Sequence, residues 1–241
     1  MNAPARSARA AGPPAYQVLA DDLRDKITSG RLRPGDRLPT EPQLCAQSGL
    51  SRSTVREALR LLSSQHLIVT TRGVTGGSFV AQPSAHLIAE TLEDGLGMLV
   101  ASGILEGEHL FEVRMMLEVP AAHLAALRHS LAHLADLDAA MFSYPEDSID
   151  RVLTACRDFH TAVSAASGNP LHQLVSGPLY AVANERDLAQ EAPDDFWPGV
   201  ADDHRVIRDA IADRDGARAS DAARSHLERL RGVYDASLVQ L

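Results

Sequence analysis

The chain has 241 residues, a formal net charge of −9 and a hydrophobic content of 45%. Aromatic residues are only 4%, so the apolar content consists mainly of Ala, Leu and Val, which favours packed helices over a β-sandwich. The chain has two cysteines and no secretory or membrane-length apolar run. A reducing cytoplasmic location without membrane association is therefore expected.

The charge is distributed unevenly along the chain. Residues 1–83 hold 11 Arg or Lys against 6 Asp or Glu, whereas residues 84–241 hold 12 against 26. A whole-chain pI near 5.5 would argue against nucleic acid as a partner. The separate charge counts of the two segments remove that objection, because a basic segment can attract phosphate while the acidic remainder stays in solution.

The amino-terminal segment predicts a flexible arm followed by a helix. Residues 1–14 are small, basic and rich in proline, which is typical of an arm without fixed structure. The apolar spacing over 16–29 predicts a helix that Gly30 ends. A turn is expected at Arg33 to Asp36.

Two short helices joined by a tight turn come next. Thr40 with Gln43 has the spacing of a capping box, and the helix that it starts ends near Gly49. Ser51 is in position to cap the second helix, whose apolar stripe includes Val55 and Leu59. This pattern is typical of a helix-turn-helix, in which the start of the second helix meets base edges and phosphates of double-stranded DNA.

Hydroxyl and arginine side chains cluster at the start of that second helix. Arg can pair bidentately with guanine, and Ser or Thr can reach phosphate or base. Two strands, 67–71 and 78–81, then flank a Gly-rich turn, which predicts a β wing. The expected DNA contacts from this region are Arg52, Ser53, Thr54, Arg56 and Arg72.

Helical periodicity dominates the second half of the chain and predicts an all-α bundle. The candidate helices are 85–102, 106–128, 130–141, 148–167, 170–189, 199–212 and 216–238. The fold class is therefore predicted to be mainly α, with a small β wing in the first half. No phosphate-binding loop or Gly-x-Ser-x-Gly pattern is present.

Four metal-ligating side chains fall on three of these helices. Cys156 and His160 are four residues apart and share a helix face, while His204 and His226 lie on two later helices. Thiolate and imidazole suit Zn²⁺ and other borderline metals, so a divalent metal site is one interpretation and core packing is the other. His129 and His133 are four residues apart and could share a metal, but no third ligand is implied, so they are interpreted as surface residues.

The segment 16–81 resembles the winged-helix domain of the GntR family of bacterial transcription regulators. The matching residues are Gly30, Pro34-Gly35, Leu38-Pro39, Glu41, Leu44, Ser51-Arg52, Thr54 to Leu59, Leu62 and Gly77 to Val80. The resemblance implies operator contacts by Ser51 to Thr54 and Arg56, and a wing-tip role for Arg72 and Gly73. Two residues depart from the pattern: Pro42 replaces an arginine that touches DNA, and His66 replaces a helix-ending glycine, so left-handed backbone is expected at His66.

Residues 84–241 resemble the FCD effector domain, the all-helical module of the FadR subfamily. The matching residues are Phe111 to Arg114, Glu118, Ala121-Ala122, Phe159-His160, Ala166 to Asn169, Asp203-His204, Ile207, Ala210-Ile211, Asp215 and His226. In many FCD domains an Asp, a His four residues later and two further His bind a divalent metal. The three histidine positions correspond to His160, His204 and His226.

Cys156 stands at the position of the Asp, which leaves three alternatives: a thiolate ligand, a three-histidine site completed by water or effector, or no metal. A thiolate would favour Zn²⁺. Arg114 has two interpretations, a bidentate partner for an effector carboxylate or an ion pair with Glu118. Asp203, adjacent to His204, is the one candidate for the acid or base of a hydrolase, and its other interpretation is an exposed charge.

These patterns predict a ligand-responsive DNA-binding regulator and not an enzyme. The resemblance implies a homodimer that binds a palindromic operator and represses transcription until a small carboxylate binds the helical domain. The expected organisation is an arm at 1–14, a DNA-binding domain at 15–83 and an effector and dimerisation domain at 84–241. The alternatives are a metal-dependent hydrolase and a DNA-binding protein whose helical domain only dimerises.

Overall fold

A computed structural model of the chain describes residues 12–73, 76–182, 193 and 195–237. The chain divides into two units, Met1–Ser84 and Ala85–Leu241. Helices predominate in both, and a single antiparallel strand pair is found in the described part of the first unit. The predicted fold class is confirmed, whereas most of the predicted arm, residues 1–11, lies outside the described residues.

The first unit is a winged helix-turn-helix. Its elements are α1 (Ala15–Thr28), α2 (Glu41–Ser48), α3 (Arg52–Ser64), β1 (Ile68–Thr71) and β2 (Gly77–Val80). In the strand pair Ile68 lies opposite Val80, and Thr71 lies opposite Gly77. The strands start and end within one residue of the predicted ranges.

Polar caps and left-handed residues define the ends of these helices. The Thr40 backbone N–H donates to Gln43 Oε1 at 2.8 Å, and the Thr54 backbone N–H donates to Ser51 Oγ at 3.2 Å. Gly49 ends α2 with φ +71°, and His66 follows α3 with φ +57°. The predicted caps and the left-handed backbone of His66 are thus confirmed, and Leu67 N–H donates to the Leu62 carbonyl at 3.0 Å to close the α3 end.

The core of the first unit is formed by one apolar stripe from each element. Leu23 of α1, Val55 and Leu62 of α3, Ile68 of β1 and Val80 of β2 are at most 2% exposed. The side chains of α3 that do not belong to this stripe face away from the core. This arrangement leaves the polar first turn of α3 at the surface.

The second unit is helical throughout its described residues. Its elements are α4 (Ala85–Ala101), α5 (Gly107–Arg128), α6 (Leu131–Ala139), α7 (Ile149–Ala166), α8 (Pro170–Val182), α9 (Phe196–Ala212) and α10 (Gly216–Ser237). The predicted helix 170–189 matches α8 as far as Val182, and its remaining residues lie outside the described part, as does residue 238.

Helix α7 contributes most to the core of the second unit. Val152 and Phe159 are fully buried there, together with Ile211 of α9 and Leu227 of α10. Helix α5 packs against α7 and α10, and α9 packs against α10. Polar residues on the inner faces of α5, α7, α9 and α10 are thereby brought together inside the bundle.

None of the helices in the described residues is long and apolar enough to span a membrane.

Candidate nucleic-acid interface and metal centre

The hydroxyl groups at the start of α3 form one hydrogen-bonded cluster. Ser51 Oγ lies 2.8 Å from Ser53 Oγ and 2.8 Å from Thr54 Oγ1. Ser51, Arg52 and Ser53 are exposed, and Thr54 is half-buried. The cluster combines exposed donors and acceptors with the positive end of the α3 dipole, which is a suitable surface for a phosphate group.

Arg56 is held by a residue of the preceding helix. Its Nε donates to Glu41 Oε2 at 2.9 Å, and the Arg56 side chain is 61% exposed. The hydrogen bond and the charge of Glu41 raise the pKa of Arg56. The contact orients the guanidinium while leaving its other nitrogens accessible from solvent. A role for Glu41 in placing this arginine was not predicted from the sequence.

A cleft of about 650 Å³ separates α3 from the wing. Arg56, Arg60 and Ser63 line it from α3, and Thr70 and Ser78 line it from the strands. Arg72 also lines the cleft from the start of the wing turn and is exposed, as is Gly73, whose φ is +115°. Two of the predicted DNA contacts, Arg56 of α3 and Arg72 of the wing, therefore line the same cleft.

Arg37 fastens the wing to the rest of the first unit. Its Nη2 donates to the Gly76 carbonyl at 2.5 Å, and its guanidinium lies 5.8 Å from the centroid of the Phe79 ring. A Cβ at Gly77 would lie 2.9 Å from Arg37 Nε. Arg37 is a positioning residue that the sequence alone did not indicate, because its role depends on the position of the strands relative to the loop before α2.

Three histidines from three helices converge inside the second unit. His160 of α7, His204 of α9 and His226 of α10 are all buried, and one ring nitrogen from each lies within 4.8 Å of the others. His160 Nε2 and His226 Nε2 are 3.4 Å apart. Two imidazole nitrogens on one tetrahedral Zn²⁺ are separated by about the same distance, roughly 3.4 Å.

His204 is the least satisfied member of this triad. Its ring is fully buried and stacks on Phe159 with ring centroids 3.9 Å apart, and neither ring nitrogen has a hydrogen-bond partner within the described residues. Burial, with the charges of His226 and His160, lowers the pKa of His204 well below its ordinary value. A neutral buried imidazole without a partner is costly unless something binds it, so the triad fits a metal ion.

Glu118 and Arg114 of α5 lie beside His160. Glu118 Oε2 lies 2.7 Å from His160 Nδ1, and Arg114 Nε donates to Glu118 Oε1 at 2.5 Å. Arg114 Nη2 lies 3.3 Å from His160 Nε2. Burial acts to raise the pKa of Glu118, but the charges of Arg114 and His160 hold it well below the usual range.

Asp203 contacts another histidine of the triad, His226. Asp203 Oδ2 lies 3.3 Å from His226 Nδ1 and accepts from Arg229 Nε at 2.7 Å. Burial acts to raise the pKa of Asp203, but these hydrogen bonds lower it. For His226, burial lowers the pKa to about 4. The interpretation of Asp203 as an exposed charge was wrong: its side chain is 17% exposed, because adjacent His204 points into the bundle and carries Asp203 to the α9–α10 contact.

Tyr180 of α8 lies beside His160 and Arg114. Its ring lies 5.3 Å from the His160 ring and 5.5 Å from the Arg114 guanidinium. Its hydroxyl lies 3.2 Å from Ser164 Oγ, and burial raises its pKa above the ordinary value. The site therefore has a second group of hydroxyls, Ser164 and Tyr180, next to the arginine.

Cys156 does not join the three histidines. It lies one turn before His160 on α7 and is buried in the apolar core of the unit. Its sulfur does not belong to the set of ligand atoms within 4.8 Å, which among the described residues contains only the three imidazoles. The structure thus brings together three of the four predicted ligands and adds Glu118, Asp203 and Arg114 around them.

His129 was wrongly interpreted as a surface residue. It is 7% exposed, and its Nδ1 lies 3.2 Å from the carbonyl oxygens of Ala125 and Ala126. His133 is half-buried, and its Nδ1 accepts from the Ser130 backbone N–H at 3.3 Å. Both rings therefore complete helix ends, His129 at the end of α5 and His133 at the start of α6.

The chain is similar to known regulators over both units. Residues 15–80 match the family described as bacterial regulatory proteins, gntR family, and residues 109–229 match the FCD domain. The galactonate operon transcriptional repressor of Escherichia coli strain K12 is 30% identical over 214 residues, covering 83% of this chain and 88% of the relative. The histidine utilization repressor of Klebsiella aerogenes is 36% identical over 122 residues, covering 51% of this chain and 48% of the relative.

A solved structure has the same fold. It is a GntR protein of Streptococcus agalactiae with a TM-score of 0.51 and 21% identity, covering 90% of this chain and 98% of that one. The matched families and the relatives are transcription regulators and not enzymes, so the hydrolase alternative is set aside. The chain belongs to the GntR family of bacterial regulatory proteins, as a DNA-binding transcription regulator whose second unit is an FCD domain.

Proposed function

We propose that this regulator binds a palindromic operator as a homodimer and responds to a small carboxylate held beside a divalent metal in the FCD domain. The main support for the ligand part is the fully buried His204. Its ring nitrogens have no hydrogen-bond partner among the described residues, although two other imidazoles lie beside it and Arg114 contacts one of them. Residues 15–83 read DNA in this proposal, and residues 84–241 bind the effector and dimerise.

The reading of DNA rests on the exposed first turn of α3. Arg52 and Arg56 supply cationic donors, while Ser51, Ser53 and Thr54 supply hydroxyls for phosphate or base edges. Arg72 and Gly73 of the wing contact the adjacent groove or backbone. One recognition helix covers a half-site only, so specific binding at useful affinity requires two copies. Repression is the proposed direction because both named relatives are repressors.

The proposed metal ligands are His160, His204 and His226. Imidazole suits Zn²⁺ and several other divalent transition metals. Glu118 and Asp203 each fix one ligand ring through its Nδ1, an arrangement that orients metal-binding imidazoles in proteins and raises their basicity. In this proposal Cys156 is a residue of the apolar core and not a metal ligand. When bound, the metal supplies a Lewis-acidic position that an anion can occupy.

The proposed effector is an anion with a carboxylate group. Arg114 is the only buried arginine among the described residues, and a buried guanidinium recognises a carboxylate through paired N–H groups. The hydroxyls of Ser164 and Tyr180 offer hydrogen bonds to a hydroxylated ligand. One relative is the repressor of a galactonate operon, and galactonate is a hydroxylated carboxylate of this kind.

Metal analysis of the full chain after mild purification tests the metal centre. We expect about one divalent metal per chain in the wild type and loss of that metal in His160→Ala. His86→Ala is the matched control, because His86 is 82% exposed on α4 and its removal should leave the metal in place. Metal retained in His160→Ala would contradict the assignment. No metal in any sample would leave a DNA-binding regulator whose FCD domain only dimerises.

A thermal-shift screen of sugar acids and other organic acids, with and without Zn²⁺, tests the effector. A ligand that binds the folded chain raises its melting temperature by mass action. We expect stabilisation by a carboxylate only when the metal is present, which would locate both in one site. Sedimentation with and without operator DNA tests the dimer, and a monomer bound to a full palindrome would contradict it.

A further inference from the structure

We propose that Arg114 occupies the place of the metal on His160, so that metal binding and the Arg114–His160 hydrogen bond exclude each other. This inference rests on the proposed metal centre. In the metal-free site the guanidinium satisfies His160 from inside the triad. When a metal enters, Arg114 leaves His160, remains attached to Glu118 and becomes the group that holds the effector carboxylate.

The hydrogen bonds around His160 identify which nitrogen carries the proton. The Glu118 carboxylate accepts at 2.7 Å from Nδ1, so Nδ1 carries a hydrogen. A guanidinium has donors only, so the Arg114 Nη2 at 3.3 Å donates to Nε2. His160 Nε2 therefore presents its lone pair to the inside of the triad, and Arg114 uses that lone pair.

Nε2 of His226 likewise presents its lone pair to the inside of the triad. Its Nδ1 lies 3.3 Å from Asp203 Oδ2, which places the hydrogen on Nδ1 and leaves Nε2 as an acceptor. The two Nε2 atoms lie 3.4 Å apart. Two acceptors facing each other in a buried site repel unless a donor or a cation lies nearby. Arg114 provides that cation in the present arrangement.

A metal and Arg114 cannot both use His160. One ring nitrogen has one lone pair in the plane of the ring, and it can either coordinate a metal or accept a hydrogen bond. A guanidinium and a divalent ion within about 4 Å would also repel strongly in a buried site. Metal binding must therefore move Nη2 away from Nε2.

Arg114 can move without leaving the site. Its guanidinium is planar and moves as one unit, so rotation about the aliphatic bonds of the side chain can carry Nη2 away from His160 while the ion pair with Glu118, now made through Nε at 2.5 Å, persists through another guanidinium nitrogen. The face of Tyr180 lies 5.5 Å from the guanidinium carbon and offers a surface for the moved group. A carboxylate between the metal and the released nitrogens would then neutralise both charges.

This exclusion predicts that the metal binds before the carboxylate and that the two ligands tighten each other's binding. The metal prepares Arg114 for a carboxylate, and a bound carboxylate holds Arg114 away from His160, which tightens the metal. Such coupling is reciprocal by thermodynamic necessity. It differs from a site in which Arg114 is only a structural partner of Glu118, because removal of a structural partner would weaken metal binding or leave it unchanged.

Titration of chelator-treated full-length protein with Co²⁺ and Zn²⁺ tests the exclusion. Arg114→Met removes the competing donor and should tighten metal binding by about 5- to 150-fold, the usual range of such couplings. Arg114→Lys separates hydrogen bonding from charge: it keeps a cation next to Glu118 but lacks the forked nitrogens that reach Glu118 and His160 together. Arg114→Lys should also bind metal more tightly than the wild type, though less so than Arg114→Met.

The outcomes distinguish this inference from the proposed metal centre. Tighter binding in both variants supports exclusion. Tighter binding in Arg114→Met alone indicates charge repulsion without displacement and overturns the inference, as does unchanged or weaker binding in both. Absence of metal binding in the wild type and in both variants overturns the metal centre itself.

A measurement on the wild type covers the case in which the variants do not fold. Nitrogen-15 NMR of the histidine rings and arginine side chains should detect the Arg114–His160 hydrogen bond in chelated protein. We expect Zn²⁺ to abolish the Arg114–His160 coupling, while the hydrogen-bonded Nδ1–H proton of His160, held by Glu118, remains observable. An Arg114–His160 coupling that persists at saturating Zn²⁺ would overturn the exclusion. Acetate, used as the probe carboxylate, should raise the melting temperature more with Zn²⁺ than without it.

Discussion

The Glu118 carboxylate of α5 lies 2.7 Å from Nδ1 of His160 on α7, and both side chains are buried in the FCD domain. The same carboxylate also accepts from Arg114. One side chain of α5 therefore fixes the orientation of a proposed metal ligand and holds the proposed effector-binding arginine. Metal affinity, effector binding and the stability of the bundle should all depend on it.

Glu118→Gln should weaken metal binding and destabilise the fold. Loss of a carboxylate that orients a metal-bound imidazole commonly lowers affinity about 10- to 100-fold. Removal of one partner of a buried ion pair leaves the other unpaired and costs about 3–5 kcal/mol. Metal titration and urea denaturation of chelated protein measure the two effects. The double variant Arg114→Met/Glu118→Gln should recover much of the stability, and failure to do so would show that the ion pair is not the source of the loss.

The metal-free protein should lose stability as the pH falls from 6.5 towards 4. Burial lowers the pKa of His226 from 6.5 to about 4, so in this window the unfolded state binds a proton that the folded state does not. Stability then decreases with falling pH, and the two-and-a-half-unit difference corresponds to a loss on the order of 3 kcal/mol for this residue. The lowered pKa of His204 acts in the same direction.

Denaturant unfolding with a chelator present, at several pH values between 7 and 4, measures this dependence. His226→Gln cannot take up the proton and should give a shallower pH dependence. An equally steep curve for His226→Gln and the wild type would contradict the assignment to His226. His86→Gln, on the exposed face of α4, is the matched control and should follow the wild type.

Arg52→Ala should weaken operator binding and relax the base preference. A bidentate arginine contact with a base is worth about 1–3 kcal/mol, so a loss of roughly 5- to 150-fold is expected, without unfolding, because Arg52 is exposed. Fluorescence anisotropy with operator and scrambled DNA measures both quantities. Arg224→Ala makes the same charge change at an exposed position of α10 and should leave the affinity unaltered. Equal losses in the two variants would remove Arg52 from the reading surface.

Glu41→Ala should change specificity more than stability. An exposed ion pair such as Glu41–Arg56 contributes little to the stability of the fold, because solvent screens it. Its loss frees the Arg56 guanidinium and removes a negative charge near the DNA surface. Binding to scrambled DNA should therefore tighten while the ratio of operator to scrambled affinity falls. Glu57→Ala is the comparison, since the Glu57–Arg60 contact is longer at 3.6 Å; an identical change in both variants would assign the effect to charge alone.

Cys156→Ala should retain the metal. The sulfur lies outside the cluster of histidine nitrogens, so metal affinity should stay within about threefold of the wild type, whereas the truncated core side chain lowers stability modestly. Co²⁺-loaded wild type should lack a thiolate-to-cobalt charge-transfer band. Appearance of that band in the wild type, with its loss in Cys156→Ala, would establish the thiolate as a ligand.

Local patterns were sufficient to predict most elements of the fold. Capping by Ser51, the left-handed backbone at His66 and the helix ranges from 85 to 182 depend on residues within a few positions of one another, so the sequence carries them directly. The wrong interpretations were of polar side chains whose exposure depends on distant helices. Asp203 and His129 have ordinary local surroundings, and only packing shows that they are largely or fully buried.

The proposed site also has features that the sequence predicts and features that depend on the tertiary structure. Spacing and resemblance identified the three histidines by residue type, along with the choice between two roles for Arg114. The tertiary structure decided that Glu118 lies between Arg114 and His160, that Asp203 orients His226 and that Cys156 is separate from the histidine nitrogens. The contacts of Glu118 and Asp203 join residues between 4 and 42 positions apart, and the longer ones depend on how α5, α7, α9 and α10 are rotated about their axes. Helix rotation is set by the packing of the whole core, which no local sequence pattern encodes.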